Sequence, residues 1–140
     1  MSAKVLVMAN RTAESPELLE ALKQRAGNGD CVFTLLVPST SHGISWAVNP
    51  HDSGADEAED HRQAFLDELR KEGLHVSEAK VGDPDALAAV QDECNIASYD
   101  ELIISTLPLH VSKWLKIDLP HKAGHATGLP VTHVVAHSSG

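Results

Sequence analysis

The residues with the greatest chemical capacity lie between Ser105 and Lys122. Ser105, Thr106 and Ser112 offer hydroxyls. Lys113, Lys116 and Lys122 offer ammonium groups, and Trp114 offers a ring that can stack on or cover a bound group. This stretch has three lysines against one aspartate, Asp118, whereas residues 52–72 hold eight acids against three bases. A local positive patch within an acidic chain, with Arg11 nearby, is suited to holding a small anion. The plainer alternative is solvated lysines with Trp114 packed in the core.

Nine histidines raise metal chemistry. His121 and His125 stand four apart in a helical pattern, which puts two imidazoles on one face. Spacing fixes no third ligand, and no His-Glu-x-x-His pattern occurs. His133 and His137 share a face only if the last strand reaches that far. His42, His51 and His61 fall in or near a loop with Asp52 and Asp56. Solvated or singly bonded histidines are the preferred reading, and no metal is expected.

Nucleophilic catalysis has little support. There is no Gly-x-Ser-x-Gly elbow, no Gly-x-Gly-x-x-Gly after the first strand and no Walker loop. Cys31 and Cys94 fall in apolar elements without metal-ligand spacing, so they read as reduced packing residues. A receiver domain needs an acidic cluster where Asn10-Arg11 stands. A flavodoxin-like phosphate loop could use Thr12 and Ser15, but Pro16 removes an amide, and aromatic residues are only 4% of the chain.

These groups are positioned by alternating strands and helices. Val5-Leu6-Val7-Met8-Ala9 is a continuous apolar run and reads as strand 1. Ser15-Pro16-Glu17 combines a cap, a first-turn proline and an acid. The helix it opens carries Leu18, Leu19, Leu22 and Ala26 and ends at Gly27. Cys31–Val37 is strand 2. A second helix spans about Glu57–Glu72, with Ala58, Phe65, Leu66 and Leu69 inward and Gly73 as its stop. Leu74–Ala79 is strand 3. Asp83-Pro84-Asp85 opens a helix with Leu87, Val90, Cys94 and Ala97 on one face. Leu102–Ser105 is strand 4. Asp118-Leu119-Pro120 caps a last helix ending before Gly128, and Val131–Val135 is strand 5.

Such alternation implies an α/β fold, a three-layer α/β/α sandwich around a five-stranded parallel sheet. Strands 1, 2 and 4 are apolar almost throughout and belong at the centre. Strands 3 and 5 carry polar residues, so the expected order is 3-2-1-4-5. The topological switch then lies between strands 1 and 4, where ligands of such sheets bind at the carboxyl ends. Candidate ligand-binding residues are therefore Asn10, Arg11 and Thr12 after strand 1, Val37 as one wall, and Ser105, Thr106, Ser112, Lys113 and Trp114 after strand 4. The connection from Pro38 to Asp56 is long enough to cover such a site or pack on a second subunit.

The chain has 140 residues, 42% of them hydrophobic and 22% charged, with a net charge of −9. One domain, residues 1–140, is the size expectation. The acidity argues against nucleic-acid or anionic-membrane binding. No apolar run approaches a membrane span, and Met1-Ser2-Ala3-Lys4 leads into too short a run for a signal peptide, so a cytoplasmic location is expected.

Three segments carry a resemblance across nearly the whole chain: Val81-Gly82-Asp83-Pro84, Tyr99-Asp100-Glu101-Leu102-Ile103-Ile104 and Gly128-Leu129-Pro130-Val131. In their order and spacing they resemble the universal stress protein family, of the adenine-nucleotide alpha-hydrolase-like superfamily. The resemblance implies a Rossmann-like fold, ATP or AMP as the ligand class, and a homodimer formed through the last strand. The family's Gly-x-x-Gly-x9-Gly-Ser/Thr signature corresponds here to Ser105-Thr106-Leu107-Pro108, nine residues, then Asp118-Leu119. All three glycines are absent. Pro108 has no amide to donate, and Asp118 puts a carboxylate where a phosphate would sit.

The expected function is a non-catalytic stress-response or regulatory domain that binds a small anion or nucleotide in an altered pocket. The alternative is a ligand-free interaction module. A nucleotide or phosphate hydrolase ranks third, since no acid–base pair is fixed by spacing.

Overall fold

The computed structural model describes residues 3–9, 16–38, 54–82, 85–106 and 118–135; for Pro38 and residues 54–62 it describes the backbone alone. In chain order the elements are β1 (Ala3–Met8), α1 (Pro16–Gly27), β2 (Cys31–Pro38), α2 (Gly54–Lys71), β3 (Val76–Gly82), α3 (Ala86–Ile96), β4 (Glu101–Thr106), α4 (Leu119–Thr127) and β5 (Val131–Val135). The five strands form one parallel sheet in the order β3-β2-β1-β4-β5. This is the expected order, with the two polar strands at the edges.

Alternation along the central strands builds two cores. Val5, Val7, Phe33, Leu35 and Ile103 point to one face, where Leu18 and Leu22 of α1 and Phe65, Leu66 and Leu69 of α2 cover them. Leu6, Met8, Leu36, Leu102 and Ile104 point to the other, beneath Ala86, Ala89 and Val90 of α3 and Leu119 and Ala123 of α4. A strand flanked by helices on both faces has no polar side, which is why β1 reads as an unbroken apolar run. Cys31 and Cys94 are both free and belong to opposite faces of the sheet. Burial pushes each thiol up from its ordinary pKa.

Several element ends follow their local chemistry. Gly73 takes φ +84° and closes α2, with the Leu74 amide donating to the Leu69 carbonyl at 3.1 Å and the Gly73 amide to Arg70 at 3.0 Å. This paired closure favours a residue without Cβ. Gly128, at φ +72°, ends α4 in a related way.

Three expectations need correction. Strand 3 begins at Val76 rather than Leu74, because Leu74 is consumed in closing α2. The cap of α3 is Asp85 rather than Asp83: its Oδ1 accepts from the amides of Leu87 (3.0 Å) and Ala88 (3.2 Å). The buried stripe of α3 is Ala86, Ala89, Val90 and Glu93, with Leu87 and Cys94 only half-buried. The fully apolar stripe expected for α3 therefore contains a buried carboxylate.

That carboxylate organises a polar cluster between α3 and the β2–β3 edge. Lys80 Nζ donates to both Glu93 oxygens, at 2.9 and 3.2 Å, and also lies 3.4 Å from Glu78. The Tyr99 hydroxyl donates to Glu93. Thr34 lies beside Tyr99, and its Oγ1 is 3.2 Å from the Ser77 hydroxyl. Glu93 is 4% exposed, so each of these partners replaces a lost water contact.

Candidate functional site

β1 and β4 are hydrogen-bonded neighbours, with Val5 opposite Glu101 and Met8 opposite Ile104. The chain therefore leaves β1 at Ala9 and β4 at Thr106 along the same edge, the carboxyl edge at the topological switch. Three of the candidate residues lie there among the described ones. Ser105 and Thr106 are buried, at 0% and 1% exposure, and Val37 is 1% exposed at the end of β2. Asn10, Arg11, Thr12, Ser112, Lys113 and Trp114 lie outside the described residues. So do most of the Pro38–Asp56 connection and His42, His51, His110 and His137.

Consecutive residues of a strand face opposite ways, so Ser105 and Thr106 serve different sides of the sheet. Thr106 belongs to the α4 side, and there it has a partner that spacing did not reveal. Thr106 Oγ1 lies 2.7 Å from His133 Nε2 on β5. β5 pairs His133 with Ile104 and Val135 with Thr106, so the two side chains meet diagonally across the ladder. Burial lowers the His133 pKa, which favours the neutral ring. A neutral ring protonated on Nδ1 accepts the Thr106 proton at Nε2. The other tautomer donates to Thr106 and frees the hydroxyl proton for a ligand. Either way the imidazole fixes the orientation of the buried Thr106 hydroxyl at the carboxyl end of β4. The signal available beforehand was weak: a histidine in an edge strand, 27 residues from its partner.

The helix starts at this edge are acidic rather than glycine-rich. Glu17 stands in the first turn of α1. Asp118 precedes α4 in the left-handed region, at φ 58° and ψ 43°, a conformation that glycine adopts at least cost. Asp118 was expected to cap the helix, but its side chain makes no capping hydrogen bond. Its backbone is left-handed, whereas a capping side chain reaches the helix amides from an extended backbone. Only the Asp118 carbonyl takes part, accepting from the Lys122 amide at 3.0 Å.

At the opposite, amino edge, Arg25 pairs with Glu101, and the Asp100 carboxylate accepts from the Lys4 amide at 2.8 Å. These contacts fasten the start of β4 to α1 and β1 and stand apart from the switch. Among the described residues no group of three or more histidine, cysteine or carboxylate side chains is arranged to hold a metal ion. No described helix is long and apolar enough to cross a membrane.

A parallel β3-β2-β1-β4-β5 sheet between two helical layers is the fold of the universal stress proteins. No family model matches the chain, and no curated protein matches it by sequence. Solved structures do match. A universal stress protein from Archaeoglobus fulgidus is similar with a TM-score of 0.65 and 13% identity, over 96% of this chain and 94% of that one. A universal stress protein family protein from Arabidopsis thaliana, solved with AMP bound, is similar at 0.64 and 14%, over 97% and 93%. A universal stress protein in complex with cAMP is similar at 0.56 and 13%, over 97% and 98%.

Proposed function

We propose that this chain is a non-catalytic regulatory domain of the universal stress protein type, working in the cytoplasm, that holds a small anionic ligand at the carboxyl edge of its sheet. An adenine nucleotide is the first choice. The observation that carries this reading is the buried Ser105–Thr106 step at the β1–β4 switch, with Thr106 held by His133. Two proteins of the same fold were solved with AMP or cAMP, which supports the ligand class. Thr106 orients the ligand, and Ser112 and Thr12 add hydroxyl donors. Arg11 and Lys113 supply charge, Asn10 and Val37 line the walls, and Trp114 covers the base.

AMP, ATP, cAMP and inorganic phosphate are to be compared by thermal shift and calorimetry. A ligand at a hundred times its Kd is expected to stabilise the fold by about 2.7 kcal/mol. Thr106→Val keeps the shape and removes the hydroxyl, so affinity for the bound nucleotide should fall about tenfold, the equivalent of 1.4 kcal/mol. Unchanged affinity in a folded variant would exclude Thr106 from the site.

One observation favours the second reading, an interaction module without a small ligand. Asp118 sets an uncapped carboxylate just before α4, where a phosphate would otherwise be welcomed. Absence of any thermal shift with all four compounds supports that module.

We further propose that two copies pair through β5. It is an edge strand with exposed Thr132 and His133, and an open edge invites pairing. Val134, between them and Val135, is 9% exposed and packs into the α1 side of the core, so a charge there would report on folding rather than on pairing. Thr132→Lys should instead move the protein from dimer to monomer in light scattering without changing its stability. A monomeric wild type overturns the pairing.

A further inference from the structure

His121 and His125 take no part in the carboxyl-edge site. Both are exposed on α4, and their ring centroids lie 5.1 Å apart with the planes tilted by 52°. Neither ring has a hydrogen bond or ion pair within the described residues. Both line an open groove of about 460 Å³ with Pro120, Gly124, Leu129 and Val131, a lining without a carboxylate or a lysine. Gly124 brings the helix close to β5: a Cβ there would meet Val131 Cγ2 at 3.2 Å. The helix is thereby seated on the sheet edge with its histidine face turned to the groove.

We propose that His121 and His125 form a two-imidazole site for a borderline divalent transition metal ion. Two histidines one helical turn apart can bind a single ion from one face, and the second contact is made at high effective concentration once the first has formed. His125 stands in the last turn of α4 and His121 in the first, so the helix dipole neither favours nor opposes an ion held between them. Lys122, next to His121 in sequence, is exposed to water, which screens its repulsion of a bound cation. Imidazole donors select copper, nickel and zinc over magnesium and calcium. With only two protein ligands, the remaining coordination positions open on the groove and stay available to water or an incoming donor. The site is independent of the nucleotide reading.

The test uses the full chain and the metal ion alone. Cu2+, Ni2+, Zn2+ and Mg2+ are titrated by calorimetry in a non-coordinating buffer, and Cu2+ broadening is mapped on amide resonances. Expected are Cu2+ as the tightest ligand, no Mg2+ binding, and broadening that begins in residues 119–131. His121→Ala and His125→Ala should each weaken Cu2+ binding by about tenfold or more, because each turns a chelate into a single contact. His75→Ala, at an exposed position on another segment, should leave it unchanged. Circular dichroism checks that each variant keeps its helix content. If either α4 variant binds Cu2+ within about twofold of the wild type, or broadening starts at another histidine, the site is overturned.

Discussion

Lys80→Met is expected to destabilise the fold by about 3 kcal/mol, because it leaves the Glu93 carboxylate buried with only Tyr99 for a partner among the described residues. Glu93 has 5% of its side chain exposed, and Lys80 has 29%. The lysine can therefore shed some of its charge to water, but the carboxylate cannot. Lys80→Met with Glu93→Leu removes both charges and fills the space with apolar atoms, so it should recover most of the loss. Urea unfolding of the two variants decides the matter. A loss below about 1 kcal/mol for the single variant would mark the pair as water-screened, like an ordinary surface bridge.

The same cluster predicts a pH dependence. The hydrogen bond to Glu93 raises the Lys80 pKa above its ordinary 10.5. Burial, and then the hydrogen bond to Glu93, raise that of Tyr99 above its ordinary 10.0. In both cases the folded state holds a proton that the unfolded chain releases earlier. The stabilisation is complete below about pH 10 and is lost as pH climbs beyond it. Tyr99→Phe should shallow this alkaline decline, as read from unfolding midpoints between pH 8 and 11. An alkaline slope identical to that of the wild type would mean that Tyr99 titrates as it does in the unfolded chain.

The second large effect is expected at Gly82, the last residue of β3. A Cβ there would lie 2.9 Å from Leu36 Cδ1 and 3.0 Å from Ala89 Cβ. Both are buried, Leu36 at 2% and Ala89 at 3% exposure; the Leu36 end can turn aside, but Ala89 Cβ is fixed to the α3 backbone and yields only if the helix moves. The glycine lets α3 lie directly on the sheet. Gly82→Val should therefore cost about 3 kcal/mol through overpacking, and Gly82→Ala somewhat less. Replacing a glycine also restricts the unfolded chain, which offsets up to about 1 kcal/mol. Denaturant midpoints for both variants test this, and a stabilised Gly82→Val would mean that α3 shifts away from the sheet at little expense.

Gly82 also shows what was legible in advance. Val81-Gly82-Asp83-Pro84 marked the entry to a helix, but the helix cap proved to be Asp85. The glycine is required by helix–sheet contact rather than by a turn. The strand adjacency beneath the candidate site was legible: strands 1 and 4 were apolar enough to be neighbours at the centre, and that adjacency put Ser105 and Thr106 at the switch. Its chemistry was less legible. His133 reaches Thr106 only through the register of β4 against β5, which no local pattern encodes. Glu93 did leave a trace, seven residues after Ala86 on the buried stripe of α3, but a carboxylate at such a position is ordinarily assigned to solvent.

The order of elements, the central and edge strands and the helix stops at Gly73 and Gly128 were all written in the chain, because each depends on neighbouring residues and on the two periodicities of strand and helix. The pairing of Thr106 with His133, of Glu93 with Lys80 and Tyr99, and of Gly82 with Ala89 belongs to the folded molecule alone. Each joins segments that meet only after the sheet has set its register and the helices have settled on it. A polar group acquires its partner, and a glycine its necessity, from that meeting.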